Sequence, residues 1–183
     1  MQSEVIMAGF GGQGIMLIGK ILAYAGMEEG KEVSWLPSYG PEMRGGTANC
    51  TVVLSDHPIG SPVVDSPFGL VVMNRPSLDR FAPNLKSKGI LIINKSLIDV
   101  LSPREDVDTV YVPCNDIAIE CGTGKAANMV ALGAYIGRSK AVKLETVYTQ
   151  IQSQFSGNTK LISLNMAALK RGYDLANKEQ TSV

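Results

Sequence analysis

The amino-acid sequence predicts an α/β fold: a single domain with a Rossmann-like, mainly parallel sheet that carries helices on both faces. Short continuous apolar runs, typical of strands buried on both sides, alternate along the chain with segments of helical apolar spacing. A glycine-rich turn joins the first run to the first helix, as in the units that build parallel sheets. The 183 residues, 45% of them apolar, are enough for one domain with its own core.

The first unit occupies the N-terminal part of the chain. Residues 5–8 form a short apolar run that predicts a strand, and residues 15–29 show helical spacing that ends at Gly30. Residues 32–36 predict the next strand, which Pro37 closes. This order of strand, turn, helix and strand indicates a βαβ unit.

The same alternation continues towards the C-terminus. We expect Gly137 to end the helix that precedes it. Residues 1–177 are predicted to form the single domain, and the polar residues 178–183 are predicted to form a frayed tail. Further strands are predicted at 47–54, 70–73, 90–93 and 109–112, and further helices at 77–86, 129–136, 144–155 and 159–176.

The composition excludes several classes of protein. Lys and Arg number 17, and so do Asp and Glu, so the basic excess of a nucleic-acid-binding protein is missing. No window approaches the roughly 18 apolar residues of a membrane span, and no basic region precedes an N-terminal apolar run. We therefore expect a cytoplasmic protein without nucleic acid or membrane partners. Cys50, Cys114 and Cys121 are widely spaced and predict reduced thiols, not an iron–sulfur or zinc site.

The sequence GFGGQG at residues 9–14 fits the G-x-G-x-x-G pattern, between a predicted strand and a predicted helix. Glycines there let a phosphate or carboxylate approach the backbone, and the N–H groups of the helix N-terminus attract an anion. A turn that only lets the helix pack closely on the sheet is the alternative. A dinucleotide cofactor would also need an acidic residue where the second strand ends, but the sequence there reads Trp35-Leu36-Pro37-Ser38. A dehydrogenase is therefore not favoured.

A second polar segment, residues 38–47, directly follows the second predicted strand. Since the carboxyl ends of parallel strands form the ligand crevice of open α/β sheets, we expect this segment beside the glycine turn. It carries a hydroxyl group at Ser38, an aromatic ring at Tyr39, a carboxylate at Glu42 and a cation at Arg44. We interpret it as a ligand or interface loop, and a structural turn with an internal Glu42–Arg44 pair is the alternative.

Other catalytic patterns are missing from the sequence. There is no P-loop, no nucleophile elbow and no pair of histidines or carboxylates that suggests a metal. The sequence GTGK at 122–125 superficially resembles a phosphate loop, but it lacks the spacing of a P-loop and no predicted strand leads directly into it. A chain with a ligand crevice and no self-sufficient catalytic set is typical of one part of a larger complex.

Three segments carry a resemblance to a known family. GFGGQG at 9–14, SYGPEMRGG at 38–46 and AANMVALGA at 126–134 resemble, in this order, the gamma subunit of the 2-oxoacid:ferredoxin (acceptor) oxidoreductases. The type is that of the pyruvate, 2-oxoglutarate and 2-oxoisovalerate enzymes. The resemblance covers nearly the whole chain and implies a Rossmann-like domain that helps to form a coenzyme A site and an assembly interface.

The resemblance also implies the reaction and the partners. Such complexes oxidatively decarboxylate a 2-oxoacid to an acyl-CoA and pass the electrons to ferredoxin. Thiamine diphosphate, Mg²⁺ and iron–sulfur clusters are held by partner subunits, which are alpha and beta chains and, where present, a ferredoxin-like delta chain. This chain is then a subunit of an oxidoreductase, with no catalytic residue and no metal ligand of its own.

The motifs and the resemblance together predict a set of residues that bind coenzyme A. The glycine turn would take an anionic group, such as a phosphate of coenzyme A, and Arg44 would add a charge-assisted contact. The other polar side chains would position the ligand in the same crevice. The set comprises Gly9, Gly11, Gly12, Gln13, Gly14, Ser38, Tyr39, Glu42, Arg44, Gly45 and Asn128.

Two alternative functions stay open at this point. One is an independent, small nucleotide-binding reductase with a Rossmann turn, and the other is a purely structural assembly module. The sequence does not name the 2-oxoacid, although residues 38–46 look most like the 2-oxoglutarate and branched-chain types. It also leaves open the stoichiometry, the interface residues and whether the isolated chain dimerises.

Overall fold

The fold is built on one mixed sheet, seen in a computed structural model that describes residues 2–38 and 47–178. Within these residues the sheet has six strands in the order β2-β3-β1-β4-β5-β6. The strands are β1 (Gln2–Phe10), β2 (Glu32–Ser38), β3 (Thr47–Ser55), β4 (Gly69–Val72), β5 (Ile90–Asn94) and β6 (Asp108–Val112).

Strand direction follows the prediction, with one exception. β1 pairs in parallel with β4, β4 with β5, and β5 with β6. β3 is antiparallel both to β1 and to β2, so β2 runs in the same direction as β1. The mainly parallel sheet is confirmed. The simple βαβ unit is not, because β3 lies between the two strands that the first helix connects.

Both strands of that first unit are longer than predicted. β1 pairs with β3 along its whole length, from Gln2 opposite Ser55 to Phe10 opposite Thr47. Pro37 does not close β2, because the strand continues through it to Ser38. A proline is tolerated there because β2 lies at the edge of the described sheet, with a neighbouring strand on one side only.

Helices cover both faces of the sheet, as predicted. The alternation of side chains along β1 divides the core, since Val5 and Met7 face one layer and Ile6 and Ala8 face the other. The second layer contains α2 (Arg75–Phe81), a following 3₁₀ turn at Ala82–Asn84, and Ile98. The first layer contains α1 (Ile15–Glu28), α3 (Cys114–Glu120), α4 (Ala127–Ser139), α5 (Leu144–Gln154) and α6 (Thr159–Lys178).

Helices α4 and α6 touch through their backbones. A Cβ atom on Gly172 of α6 would lie 2.0 Å from the carbonyl oxygen of Val130, and one on Gly133 of α4 would lie 1.9 Å from that of Leu169. Neither position has room for a side chain. Gly137 also faces α6, and α4 continues through it to Ser139, so the prediction that Gly137 ends this helix is wrong.

The last helix extends slightly beyond the predicted end of the domain, because α6 continues to Lys178, one residue past position 177. Residues 179–183, on which the rest of the predicted frayed tail falls, lie outside the described residues. In the part of the chain that the structure describes, no helix is both long enough and apolar enough to cross a bilayer.

Candidate binding site

The glycine turn between β1 and α1 is fastened by the side chain of Gln13. The side-chain Oε1 atom accepts a hydrogen bond of 2.6 Å from the N–H of Phe10, and the backbone N–H of Gln13 donates to the Phe10 carbonyl at 3.2 Å. Its Nε2 atom donates to the carbonyl of Met73, at the end of β4, at 3.3 Å. Gln13 therefore holds the turn closed and ties it to the neighbouring strand.

Helix α1 begins at this turn with a free N-terminus. Gly14 is the N-cap residue and adopts a left-handed conformation with φ 74°, which favours glycine. No described side chain caps the helix, and its first turn contains no acidic residue. The first-turn N–H groups and the positive end of the helix dipole are thus left for an anion.

Asn128, in the first turn of α4, packs against this N-terminus. The residue is buried, with 4% of its surface exposed. Its Nδ2 atom donates a hydrogen bond of 3.2 Å to the carbonyl of Gly14. A Cβ atom on Gly14 would lie only 2.3 Å from this nitrogen, so the contact requires glycine on one side and a small amide on the other.

A cavity of about 490 Å³ opens beside these two helix ends. Its walls come from the glycine turn, the end of β4, the start of α3 and the segment that leads into α4. None of the described residues that line it carries a carboxylate, which suits a negatively charged ligand. They are Gly12, Gln13, Met73, Asn115, Gly124, Lys125, Ala127 and Asn128.

Lys125 supplies a cation at this cavity that the predicted set of residues lacks. It lies in a short 3₁₀ turn, Gly124–Ala126, and is exposed. Within residues 2–38 and 47–178, no carboxylate forms an ion pair with it. The packing of α3 and α4 brings this segment to the cavity without a strand that leads into it.

Asn115 is a second residue that the sequence analysis missed. Its Oδ1 atom accepts a hydrogen bond of 2.9 Å from the side chain of Asn94, which is 1% exposed. Asn94 is fixed in turn, because its Oδ1 atom accepts from the N–H groups of Ser96 and Cys114. Asn115 is thereby left with its amide nitrogen as the hydrogen-bond donor for a ligand in the cavity. An asparagine at the end of strand β5 was the available signal.

The structure brings together part of the predicted set. Gly12, Gln13 and Asn128 line the cavity, and Gly14 is the N-cap of helix α1, which begins beside the cavity. Gly11 is exposed in the turn, while Gly9 is buried within β1 and does not line the cavity.

The second predicted segment is described only at its first residue. Ser38 ends β2 opposite Asn49, which in turn lies opposite Ala8 of β1. Ser38 thus lies at the same end of the sheet as the glycine turn, but two strand spacings, roughly 10 Å, separate it from β1. It does not line the cavity. Tyr39, Glu42, Arg44 and Gly45 lie outside the described residues.

The three cysteines are not among the residues that line this cavity. Cys50 and Cys114 are buried, and Cys121 is half-buried, all as free thiols. Burial raises the pKa of the Cys50 thiol to about 12 and also raises the pKa of Cys114. In the described part of the chain, no three side chains of His, Cys, Asp or Glu come together to hold a metal ion.

Comparison with known proteins shows which family this chain resembles in sequence. A model of the family described as pyruvate ferredoxin/flavodoxin oxidoreductase matches residues 4–175. The chain is 43% identical over 176 residues to ketoisovalerate oxidoreductase subunit VorA of Methanothermobacter marburgensis, covering 96% of this chain and 37% of that relative. It thus spans little more than a third of the length of such relatives. It is 34% identical to 2-oxoglutarate synthase subunit KorC of Methanocaldococcus jannaschii, covering 97% of this chain and 96% of KorC.

A solved structure agrees with these sequence matches. The gamma subunit of a keto/oxoacid ferredoxin oxidoreductase from Geobacter sulfurreducens superposes with a TM-score of 0.81 at 30% identity, covering 95% of this chain and 98% of that subunit. The predicted family resemblance is confirmed by the family match and by these relatives. The chain belongs to the pyruvate ferredoxin/flavodoxin oxidoreductase family.

Proposed function

We propose that this chain is the gamma subunit of a 2-oxoacid:ferredoxin oxidoreductase and helps to bind coenzyme A. The complex would oxidatively decarboxylate a 2-oxoacid to the acyl-CoA. One observation carries the proposal: a chain whose family match spans residues 4–175 has a cavity of about 490 Å³ at the free N-terminus of α1. The described lining contains donors but no carboxylate, so it supports an anionic ligand.

In this proposal a phosphate of coenzyme A lies against the first turn of α1. Lys125 contributes the positive charge, and Asn115 contributes a directed hydrogen bond. Gln13 and Asn128 use hydrogen bonds to hold the turn and the helix end in place. Their role in the site is to position backbone donors, in addition to any contact with the ligand.

The remaining predicted ligand residues stay part of the proposal. Arg44 would pair with a phosphate, with Glu42, Tyr39 and Ser38 as polar positioning groups. If Arg44→Ala leaves the coenzyme A affinity of the assembled complex unchanged, Arg44 and Glu42 belong to a subunit interface instead. Gly9, Gly11 and Gly45 would contribute backbone geometry, not side-chain contacts.

The reaction requires groups that we assign to partner subunits. Alpha and beta chains, with a ferredoxin-like delta chain where present, would hold the thiamine diphosphate, Mg²⁺ and iron–sulfur clusters, and ferredoxin would accept the electrons. In the VorA relative, the segment that matches this chain is 37% of a longer polypeptide. This supports an association of the domain with further protein.

A branched-chain 2-oxoacid is the first substrate to test. The relative with 43% identity is named for ketoisovalerate, whereas the KorC relative, with 34% identity, is named for 2-oxoglutarate. Pyruvate and indolepyruvate complete the set of 2-oxoacids to compare, because specificity would depend largely on the partner subunits.

Affinity purification from the native source tests the proposal. The chain is tagged at its C-terminus, isolated without oxygen, and the copurifying proteins are identified by mass spectrometry. We expect a thiamine-diphosphate-binding subunit and an iron–sulfur protein, together with dye reduction that needs both a 2-oxoacid and coenzyme A. A chain that elutes alone with its own bound nucleotide would instead support the independent reductase. The sheet already argues against a dinucleotide fold, in which the second strand neighbours the first.

A further inference from the structure

Helix α3 is capped by side chains that lie at and just after the end of strand β5. Its own N-cap residue provides no side-chain hydrogen bond. Instead, Asn94 Oδ1 accepts from the N–H of Cys114 at 3.2 Å. Ser96 Oγ accepts from the N–H groups of the next two residues, Asn115 at 3.2 Å and Asp116 at 3.4 Å. The first three N–H groups of α3 are therefore occupied, in contrast to those of α1.

The side-chain amide of Asn94 has one orientation that satisfies its neighbours. Its Oδ1 atom accepts from the backbone N–H groups of Cys114 and Ser96, at 3.2 and 3.3 Å. A reversed amide would place its NH₂ group against these two donors, and this would be costly at a residue that is 1% exposed. Nδ2 is therefore the atom that faces Asn115, whose Oδ1 atom accepts from it at 2.9 Å.

Asn115 carries this orientation to the main cavity, the one of about 490 Å³. The residue is half-buried and lines that cavity. Its Oδ1 atom is held by Asn94, and within the described residues no hydrogen bond engages its Nδ2 atom. The two orientations of an asparagine amide have nearly the same shape, so hydrogen bonds, not packing, distinguish them. The bond from Asn94 therefore determines that this wall presents a donor and not an acceptor.

We propose that Asn94 is a positioning residue that fixes the hydrogen-bonding polarity of the main cavity by acting through Asn115. The inference rests on the proposed function, in which an anionic group of coenzyme A lies in this cavity. With the amide as observed, the N–H groups of Asn115 face the ligand on a cavity that Lys125 also lines. With the amide reversed, an anion would meet an oxygen lone pair in place of a donor.

The carboxylate in the first turn of α3 is engaged by the same network. Ser96 Oγ donates to Asp116 Oδ2 at 2.8 Å while it accepts from the N–H of that residue. Asp116 does not line the main cavity. The end of β5 thus leaves a donor at the cavity and binds the neighbouring acceptor itself, which is the polarity that an anionic ligand requires.

Asn94→Asp reverses the polarity of this pair with almost no change in size. One carboxylate oxygen still accepts from the N–H groups of Ser96 and Cys114, and the other replaces the donor. Asn115 must then turn its NH₂ group towards position 94, so that its oxygen faces the cavity. We expect the Kd of coenzyme A to rise about tenfold or more, in calorimetric titration of the full chain with its copurifying subunits.

A double-mutant cycle with Asn115→Ala separates this effect from direct charge repulsion. If Asn94→Asp acts through the amide of Asn115, it should weaken coenzyme A binding by less than about twofold once that amide is removed. A carboxylate that repels the ligand directly would weaken binding by the same factor with and without the amide. That result would overturn the inference.

Asn74→Asp is the matched control for a new buried carboxylate. Asn74 is also 1% exposed and also follows a strand, β4, but its Oδ1 atom accepts from the N–H of Ser77 to cap α2. Neither Asn74 nor Ser77 lines the main cavity. We expect the Kd of coenzyme A to change by less than about twofold. Weakening equal to that of Asn94→Asp would show that charge alone is sufficient, and would overturn the inference.

Steady-state kinetics of the assembled complex provide a readout that a general loss of structure would not reproduce. We expect Asn94→Asp to raise the KM for coenzyme A about tenfold, and to leave kcat at saturating coenzyme A and the KM for the 2-oxoacid within about twofold. A lower kcat with an unchanged KM for coenzyme A would indicate a purely structural role and would contradict the proposal.

Asn115→Asp tests the same polarity if the Asn94→Asp chain does not fold. Asn94 Nδ2 would hold one carboxylate oxygen and direct the other towards the ligand. We expect this variant to bind coenzyme A at least about tenfold more weakly than Asn115→Ala, and equal affinities would overturn the inference. An unsubstituted complex that neither binds coenzyme A nor needs it for turnover would overturn the proposed function itself. Normal binding by that complex, with an unchanged affinity in Asn94→Asp, overturns the inference alone.

Discussion

The side-chain amide of Asn128 donates a hydrogen bond of 3.2 Å to the carbonyl of Gly14, and so joins the first turn of α4 to the N-terminus of α1. The two residues are 114 positions apart in the sequence. The contact sets the distance between the two helix ends that border the main cavity.

Substitutions at Gly14 and Asn128 should be strongly coupled. Asn128→Ala loses two side-chain hydrogen bonds, one to the Gly14 carbonyl and one from the N–H of Met129, roughly 1 to 2 kcal/mol of the free energy of unfolding. Gly14→Ala costs more, because a Cβ would lie 2.3 Å from the Asn128 amide and φ is 74°. In the double variant the clash is gone, so we expect a coupling energy of about 1 kcal/mol or more in urea unfolding. Additive effects would show that residues 14 and 128 do not contact each other.

Asn128→Asp is the matched control for this pair. The substitution keeps the size of the side chain but places a carboxylate oxygen against the Gly14 carbonyl. We expect it to destabilise the protein more than Asn128→Ala at neutral pH. An equal effect of Asp and Ala would mean that the side chain at this position does not face the Gly14 carbonyl.

Replacement of Lys125 by Gln should weaken coenzyme A binding. The substitution keeps most of the side-chain length and removes the positive charge that borders the main cavity. We expect about a tenfold increase in Kd, equivalent to about 1.4 kcal/mol, measured by calorimetric titration of the chain with its copurifying subunits. The affinity of the variant should also depend less steeply on salt concentration.

Lys143→Gln provides the control for that loss of charge. Lys143 lies beside Glu29 at the other end of α1, since its N–H donates to the Glu29 carboxylate at 2.7 Å. A 14-residue helix is about 21 Å long, so this lysine is remote from the cavity. We expect an unchanged Kd. Equal weakening by both substitutions would indicate a general charge effect and not a contact of Lys125.

Gly172→Ala should severely destabilise the fold. Its Cβ would lie 2.0 Å from the Val130 carbonyl oxygen, so α4 and α6 would have to move apart. We expect a loss of about 3 kcal/mol or more, or failure to fold, in thermal and urea unfolding. Gly60→Ala is the control, because nothing lies within 4 Å of a Cβ there. A mild effect at Gly172 would contradict the backbone contact between the helices.

The three thiols should react at clearly different rates. Burial raises the pKa of Cys50 to about 12 and raises that of Cys114, so neither forms the reactive thiolate at pH 8. Cys121 is half-buried. We expect a disulfide reagent to modify Cys121 first and the other two only after unfolding. Fast modification of all three in the native protein would contradict the buried positions, and Cys121→Ser identifies the first site.

Sequence alone predicts the layers of this fold better than its connections. Apolar runs mark which residues are buried, but they carry no record of strand direction. The antiparallel β3 between β1 and β2 depends on pairing with both neighbours, from Gln2 to Phe10 and from Glu32 to Ser38. Likewise, Gly137 resembles a helix end until the helix that it packs against is known.

The candidate site shows the same division. The turn at 9–14 is local, and its pattern indicates a helix N-terminus before any tertiary contact is considered. Lys125 and Asn115 reach the cavity through the packing of α3 and α4, which no local pattern records. Long-range hydrogen bonds, such as those of Asn94 and Asn128, place these groups.

The backbone contact between α4 and α6 makes these two helices a single rigid unit. Gly133 and Gly172 leave no gap through which these helices could slide or tilt. Asn128, at the start of α4, therefore keeps a fixed position relative to α6. Any change in the width of the cavity must therefore come from its opposite wall, where the Gln13 side chain fastens the turn before α1.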